Sequence, residues 1–352
     1  MHTPSAGLIY GLESHHLDHM APLCAILEIP LIVTEELLLK QAQEAYPFVD
    51  TLYCDYLELP FFIIKTYQFV FCCFPRILFN ELFFLAQLLS KKNIYTIWCP
   101  HGNSDKGNVK PYVKALLQDE LLLVYGQQMI DFFTRHNLIK PYVITGNFRY
   151  QFYRQHKDWY DTYVAQKIPL SQKKTILYAP TWQDYEHSCS FFSAIDSLIE
   201  QKPEKYRLLI KPHPNSKRQN PFLIEEIEEK CKSFPDVHFI ADLLPIYPLL
   251  QVCDLYVGDM SSIGYDFLHV NRPMFFLNQN NVEDPLSTYL FRCGQAILPQ
   301  QYSNIYSLLN CREQQELPST REKVYRYAFA IDFCLEKETI FNTLKKISLC
   351  AR

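Results

Sequence analysis

Residues 253–267 read CDLYVGDMSSIGYDF and decide the fold class of the second half of the chain. The apolar run 255–258 predicts a short buried strand, and the residues from Ser262 onward predict a helix. Asp259 and Ser261 lie at the corner between them, where the N–H groups of a first helical turn lack partners and the helix dipole is positive. Such a corner favours anions, phosphates in particular. A simple N-cap made of the same residues is the open alternative.

Short apolar runs alternate with helical patterns along the chain, which is typical of βαβ units and parallel sheets. The first half predicts seven strands, near residues 7–10, 30–33, 51–54, 68–74, 94–98, 121–125 and 142–145. The second half predicts six, near residues 175–178, 206–210, 237–240, 255–258, 274–277 and 296–298. The pattern therefore predicts two doubly wound, Rossmann-like α/β domains that face a central cleft. The expected bounds are 1–150 and 151–335, followed by a helix at 336–352 that packs back on the first domain.

Composition limits the class of protein and its partners. The chain has 352 residues, 48% of them apolar, and a formal net charge of −4, so nothing suggests a nucleic-acid partner. Its 12 cysteines are scattered without a Cys-x-x-Cys pair, and no apolar leader is visible at the start. Reduced thiols and a cytoplasmic location are expected.

The most apolar region, residues 57–89, raises the question of membrane contact. Charged residues interrupt it at Glu58, Lys65, Arg76 and Glu81, which leaves no run near the ~20 residues that a spanning helix needs. The pattern favours a buried strand followed by a buried helix at 77–89. Peripheral contact at the inner face of the cell membrane is the alternative for this surface.

A second candidate corner follows the strand predicted at 94–98. There His101 and Gly102 can bring an imidazole and a backbone N–H close to a ligand, and Lys106 adds a cation nearby. Histidine is the side chain best suited to general-base chemistry near neutral pH. A loop in which His101 only packs or caps is the structural alternative.

Two further corners follow predicted strands of the second half. Lys211 and His213 lie in the sequence KPHP, where two prolines restrict the backbone and present a cation and an imidazole suited to phosphate. Thr181 follows the strand at 175–178 and can line the same cleft. Asp266 lies four residues after Ser262, on the same helix face, where a carboxylate could meet ribose hydroxyls.

A histidine cluster near the start of the chain suggests a metal site but lacks a complete ligand set. His15 and His19 are one helical turn apart, with His16 and Asp18 between them, and no further ligand completes a recognisable pattern. We therefore expect this cluster to assist acceptor binding, with no metal. The sequence also lacks Asp-x-Asp, Gly-x-Gly-x-x-Gly and phosphate-loop motifs, which argues against metal-dependent sugar transfer, dinucleotide chemistry and ATP hydrolysis.

Taken together, four motifs resemble those of the CDP-glycerol glycerophosphotransferase family, the teichoic-acid primases and polymerases. They are WxxHG at 98–102, YAPTW at 178–182, KPHP at 211–214 and DxxxxDxSSxxxDF at 254–267. Their order and spacing match from about residue 90 to 285. The resemblance implies a GT-B fold and a transferase.

The resemblance also implies roles for these residues. His101 would be the base or the group that orients the acceptor hydroxyl, and His213 would contact the donor pyrophosphate. Ser261 and Ser262 would hold the phosphates with backbone N–H groups. Lysine, aspartate, threonine and glycine side chains or amides of the same corners would line the substrate site: Lys211, Asp259, Asp266, Thr181, Gly102 and Lys106.

The implied reaction moves a polyol phosphate from a CDP-linked donor, such as CDP-glycerol, to a hydroxyl of a polyol or glycan-lipid acceptor in the cell envelope, and releases CMP. It needs no cofactor. Two alternatives keep the fold: a glycosyltransferase or 2-epimerase that uses a UDP-sugar, and a non-catalytic nucleotide-binding relative.

Overall fold

The computed structural model of the chain describes residues 4–105, 110–169, 171–183, 186–240, 245–283 and 288–350. It divides into two compact units. The first comprises residues 1–101, 109–156 and 327–352, and the second comprises 102–108 and 157–326. These divisions differ from the sequence-based bounds of 1–150, 151–335 and 336–352.

The first unit is built on a parallel sheet of seven strands. They are β1 Ser5–Ile9, β2 Leu31–Val33, β3 Thr51–Tyr53, β4 Phe69–Cys72, β5 Tyr95–Trp98, β6 Leu121–Val124 and β7 Tyr142–Ile144. The strand order is β3-β2-β1-β4-β5-β6-β7, so the winding direction reverses between β1 and β4. At such a switch point the loops after neighbouring strands diverge and leave space for a ligand.

The second unit is built on a parallel sheet of six strands. They are β8 Lys174–Ala179, β9 Tyr206–Ile210, β10 Val237–Phe239, β11 Leu255–Gly258, β12 Met274–Leu277 and β13 Gln295–Ile297. Their order is β10-β9-β8-β11-β12-β13, with the reversal between β8 and β11. The thirteen strands agree with the sequence-based predictions to within one or two residues at most ends, because short, strongly apolar runs mark buried parallel strands.

Helices connect the strands in both units. In the first part of the chain they are α1 Leu17–Leu27, α2 Glu36–Ala45, α3 Leu59–Thr66, α4 Asn80–Ser90, α5 Lys110–Ala115, α6 Gln127–Arg135, α7 Phe148–Gln155 and α8 Lys157–Lys167. After β8 they are α9 Phe191–Glu200, α10 Pro214–Gln219, α11 Pro221–Lys232, α12 Ile246–Gln251, α13 Ser262–Phe267, α14 Ile305–Leu308, α15 Pro318–Phe329 and α16 Lys337–Cys350.

The end of the chain packs on the first sheet's helices and loops. Tyr327 donates a hydrogen bond of 2.7 Å to Asp131, and Lys337 forms an ion pair of 2.7 Å with Glu28. Gly146 has φ +60, and a Cβ there would lie 2.6 Å from the carbonyl oxygen of Phe333. Residues 327–350 are therefore an integral part of the first unit.

The prediction of a buried helix at 77–89 is wrong for one face of α4. Leu82, Phe83 and Ala86 are buried, whereas Phe84 and Leu88 are 62% and 63% exposed. The sequence could not separate the faces, because apolar residues occur all round this helix. Among the residues that the structure describes, no helix is long and apolar enough to cross a membrane.

Candidate active site

His101 lies just after β5, close to three imidazoles from the segment that follows β1. Its ring centroid is 5.2 Å from that of His16, 6.1 Å from that of His15 and 6.5 Å from that of His19. His15 and His16 belong to a short 3₁₀ turn at 14–16, and His19 is in the first turn of α1. The cluster therefore lies at the carboxyl edge of the first sheet, and its expected part in acceptor binding stays a prediction.

Hydrogen bonds to neighbouring residues hold the histidine cluster in place. Tyr125, directly after β6, donates to the carbonyl oxygen of Pro100 at 3.0 Å. Its oxygen is 2.9 Å from Nδ1 of His19, so that nitrogen carries the proton and donates to it. Arg149 forms an ion pair with Asp18 and donates to the same residue's carbonyl oxygen at 2.9 Å. These bonds fix α1 and its histidines in one orientation.

Burial keeps the imidazoles of His101 and His19 neutral near neutral pH. Burial, followed by the nearby His15, lowers the pKa of His101 from 6.5 to about 4, against a smaller opposing effect of Glu13. Burial, and then the charge of Arg149, holds the pKa of His19 well below 6.5. In the described part of the chain, Nδ1 of His101 is buried and has no hydrogen-bond partner. A neutral ring with an unused nitrogen can accept or orient a hydroxyl proton.

In the second unit, Asp259 joins the loops on the two sides of the switch point. Its side chain is fully buried. One carboxylate oxygen accepts the backbone N–H of Thr181 at 2.8 Å and that of Ser190 at 3.1 Å. These bonds therefore fix the loop after β8. Asp259 and Thr181 are both buried, whereas residues that touch a substrate were expected to be exposed to solvent.

Ser261 and Ser262 begin α13, as the sequence predicted. Ser261 is the N-cap residue, but its hydroxyl makes no capping bond and lies 3.2 Å from the hydroxyl of the buried Tyr256. Gly264 donates its N–H to the carbonyl oxygen of Ser261 at 3.1 Å. The Ser261 side chain thus makes no capping bond at the start of α13, the positive end of the helix.

His213 is the N-cap residue of α10, with Pro214 as the first helical residue. Its Nδ1 accepts the backbone N–H of Asn215 at 3.1 Å. In the neutral ring the proton is therefore on Nε2, which makes that nitrogen a donor. Lys211 lies just after β9 at the same corner, where its N–H donates to the carbonyl oxygen of Tyr178 at 2.9 Å.

Gly102 packs against Ser262. Its φ is +132, and a Cβ at this position would be 2.4 Å from Cβ of Ser262. Three residues later, Asp105 accepts the hydroxyl of Tyr265 at 2.6 Å and the N–H of Leu290 at 3.0 Å. Residues 102–105 are thereby held on the second unit, although the sequence placed them in the first.

The last two predicted residues differ in placement. Asp266 is buried and accepts the hydroxyl of Tyr247 at 2.9 Å, so it supports α12 and α13. Lys106 lies outside the described residues. Beside the α13 corner, a cavity of about 110 Å³ is lined by residues that include Asp105, Ser188 and Met260. Within the described ranges, no group of three or more His, Cys, Asp or Glu side chains has an arrangement suited to a metal ion.

Comparison with known proteins identifies the family. Residues 104–283, about half of the chain, match the family described as CDP-Glycerol:Poly(glycerophosphate) glycerophosphotransferase. The chain belongs to the CDP-glycerol glycerophosphotransferase family. It is a transferase of this family, as the sequence motifs implied.

Relatives and solved structures agree with this family membership. The chain is 26% identical over 308 residues to a teichoic acid glycerol-phosphate primase of Bacillus subtilis (strain 168), covering 81% of this chain and 74% of that protein. A structure of the wall teichoic acid polymerase TagF matches with a TM-score of 0.67 and 14% identity over 99% of this chain and 90% of that one. UDP-GlcNAc 2-epimerase from Neisseria meningitidis matches with a TM-score of 0.60, 14% identity, and coverage of 97% and 100%. The structural matches confirm a GT-B-like fold.

Sequence reasoning missed the residues that hold this candidate site in place. Tyr125 and Arg149 support the histidines, and Tyr256 and Ser190 support the α13 corner. Tyr125 could have been found, since it directly follows a predicted strand. Arg149, Ser190 and the buried Tyr256 carry no local signal, because their roles depend on contacts with residues far along the chain.

Proposed function

We propose that this protein transfers a polyol phosphate, glycerol phosphate or a close analogue, from a CDP-linked donor to a hydroxyl of a cell-envelope acceptor, and releases CMP. The observation that carries the proposal lies within the matched segment 104–283. There Nε2 of His213 and the start of α13, where the Ser261 side chain makes no capping bond, provide hydrogen-bond donors at two corners of one unit. The primase and polymerase names of the relatives support a polyol-phosphate polymer as the acceptor's class.

The second unit is assigned the donor. His213 donates from Nε2 to a pyrophosphate oxygen, and Lys211 adds positive charge. Ser262 and the first-turn N–H groups of α13 bind the phosphates, since backbone N–H groups at a helix start suit anions. Asp259 and Thr181 act as positioning residues, because the hydrogen bond between them joins two loops of the protein.

The first unit is assigned the acceptor. The acceptor hydroxyl oxygen attacks the β-phosphorus of the donor and forms a new P–O bond. The bond from that phosphorus to the bridging oxygen breaks, and the bridging oxygen leaves with CMP. His101 accepts or orients the hydroxyl proton, while His15, His16 and His19 shape its surroundings. Positioning and charge neutralisation can drive such a displacement, so the proposal includes no cofactor.

Peripheral membrane contact belongs to the same proposal. Exposed apolar side chains lie on α3, on α4, which packs against it, and in the segments before these helices, and together we call them the α3–α4 surface: Leu57, Phe61, Leu78, Phe84, Leu88 and Leu89. The exposed charged residues of the same segments include Lys65 and Lys91 and the acidic Glu58 and Glu81. Apolar side chains with neighbouring lysines suit an anionic lipid surface, such as the cytoplasmic face of the cell membrane.

Vesicle flotation tests this membrane contact. Phe84→Ser together with Leu88→Ser should reduce binding to vesicles that contain anionic lipid. Phe222, which is 85% exposed on α11 in the second unit, provides the matched control. If Phe222→Ser lowers flotation as much as the double variant does, the α3–α4 surface is not the contact.

Nucleotide selectivity tests the function itself. Thermal stabilisation should be measured with CDP, CMP, UDP, GDP and ADP at equal concentrations; a ligand at about 100-fold its Kd adds ~2.7 kcal/mol to stability. We expect selective stabilisation by CDP that is lost in His213→Ala. Selective stabilisation by UDP would instead favour the sugar-nucleotide alternative, which the likeness to the 2-epimerase fold keeps open.

Transfer from CDP-glycerol then separates an enzyme from a non-catalytic relative. His101→Asn should retain CDP binding but release CMP far more slowly than the wild-type protein. Equal CMP release by both proteins would exclude a catalytic role for His101, and no release by either would favour a nucleotide-binding protein without transferase activity.

A further inference from the structure

A second pocket lies at the opposite, amino-terminal edge of the second sheet. Its volume is about 390 Å³, and residues from α8, from α12 and from the starts of β8 and β9 line it. The corners that carry Thr181, His213 and Ser261 follow the other ends of β8, β9 and β11. The proposed donor site and this pocket are therefore at different edges of one sheet.

Arg207 lies in the wall of this pocket as a buried charge, and the carboxylates of Asp236 and Asp254 act on it without direct contact. Only 4% of the residue is exposed. Its guanidinium donates to the hydroxyl of Thr175 from Nε at 3.1 Å and from Nη2 at 2.9 Å, and from Nη1 to the carbonyl oxygen of Pro169. Among the described residues, no carboxylate forms an ion pair with it. Buried charges are normally paired, because an isolated one costs free energy in a low dielectric.

The geometry of Arg207 leaves hydrogen-bonding capacity. A guanidinium has five N–H groups, and the three bonds to Thr175 and Pro169 use three of them. The register of the two parallel strands pairs Arg207 on β9 with Thr175 on β8, which fixes the position of the Arg207 backbone. A planar cation held in this way is suited to binding the two oxygens of a carboxylate or a phosphate.

We propose that this pocket binds a small organic oxyanion, with its carboxylate or phosphate group on Arg207. Lys157 and Lys173 also line the pocket and lie in ion pairs with Asp161 and Asp236. Apolar groups line much of the rest: Val164, Ala165, Ile168, Pro169, Pro248 and Val252. Ser171, Gln251 and Asp254 also line it, and the Asp254 carboxylate accepts the N–H of Thr175 at 2.7 Å. This combination suits a molecule that has one anionic group and a partly apolar body, and the volume is that of an ordinary small-molecule site.

Calorimetric titration tests this proposal, with inorganic phosphate and citrate as the two probes and chloride at equal ionic strength as the reference. The titrations are done in His213→Ala protein, so that anions at the donor corner contribute little. We expect one of the probes to bind, and Arg207→Gln to weaken that binding by about tenfold or more, since charge-assisted hydrogen bonds are the strong ones. Preference for phosphate or for citrate identifies the anionic group.

A second variant keeps the test decisive if Arg207→Gln does not fold. Ala165→Trp fills the pocket from α8 and leaves every bond of Arg207 intact, so it should abolish binding. Gln166→Trp, at an exposed position on the same helix that does not line the pocket, is the control and should bind normally. Binding that survives both Arg207→Gln and Ala165→Trp, or the absence of binding by either probe, would overturn the proposal.

Discussion

Gly102 packs so closely against Ser262, the first residue of α13, that no side chain fits between them. A methyl group on Gly102 would be 2.4 Å from Cβ and 3.0 Å from the hydroxyl oxygen of Ser262. Gly102, the residue that follows His101 in the chain, is thus held against the start of α13 within the second unit.

Gly102→Ala should therefore impair both stability and transfer. The new methyl group collides with Ser262 and occupies a backbone conformation that favours glycine, for a combined cost of ~1–3 kcal/mol. Gly11 is a matched control, because its φ is +73 but nothing lies within 4 Å of the position of its Cβ. Urea unfolding should show a larger loss for Gly102→Ala than for Gly11→Ala, and Ser262→Gly should partly restore the double variant. Equal losses at both glycines would exclude the collision.

Transfer should lose activity at low pH as His101 becomes protonated. The pKa of His101 is about 4, so the neutral ring predominates above that pH. The rate at subsaturating donor should be level near neutral pH and fall as pH decreases through about 4. His15→Asn should move this acid limb to higher pH, because His15 lowers the pKa of His101. An acid limb that does not move would argue against this electrostatic coupling.

His101→Asn should lower kcat by about 10²–10⁴-fold, the usual contribution of a general base. KM for the donor should change little, since the donor is assigned to the second unit. Initial rates of CMP release over a range of donor concentrations provide both constants. A rise in KM with an unchanged kcat would instead place His101 in donor binding.

The fold should also become less stable as pH decreases from about 6.5. The pKa values of His101 and His19 lie below 6.5 in the folded chain. Between the folded-state pKa of each histidine and 6.5, the unfolded chain therefore binds more protons than the folded chain. Stability is therefore complete above about pH 6.5 and is progressively lost toward pH 4. A variant with both His19→Gln and His101→Asn should show a flatter dependence of the urea midpoint on pH. An unchanged slope would assign the effect to other groups.

Asp259→Asn should destabilise the second unit by ~1–3 kcal/mol, because a buried acceptor of two backbone N–H groups is replaced by an amide. Asp236→Asn, in a partly exposed ion pair of 2.7 Å with Lys173, should cost less than ~1 kcal/mol. Urea unfolding and CDP titration of both variants provide the comparison. Weaker CDP binding in Asp259→Asn at unchanged stability would point to direct donor contact instead of positioning.

Removal of divalent metal should leave transfer unchanged. The proposed charge neutralisation uses His213, Lys211 and backbone N–H groups. CMP release should be equal in chelator and in added Mg²⁺, once the free donor concentration is matched. Loss of activity in chelator, restored by a metal, would require a metal-dependent step.

The strands could be predicted from the sequence because each is a short apolar run bounded by polar turns, and parallel strands are buried on both faces. The corners could be predicted because ligands bind beyond the carboxyl ends of such strands. His101, His213 and Ser261 all follow strands in this way.

Sequence reasoning could not separate residues that contact a ligand from residues that only hold the site in place. Asp259 and Asp266 have the residue types of a ligand site, but both are buried and bonded within the protein. In the sequence, Arg207 looks like an ordinary strand residue. Only its burial, and the absence of an ion pair with a carboxylate among the described residues, make it unusual. These properties depend on long-range packing, which no local pattern encodes.

The return of residues 327–350 to the first unit affects how the protein is made. Gly146 contacts Phe333, and Lys337 pairs with Glu28, so helices and loops formed early in synthesis are completed by the final part of the described chain. On the ribosome, the first sheet must wait with part of its packing surface open until residues 327–350 have been translated. The second unit, nearly continuous in sequence, can finish folding first, and chaperones that shield nascent chains are expected to act mainly on the amino-terminal half.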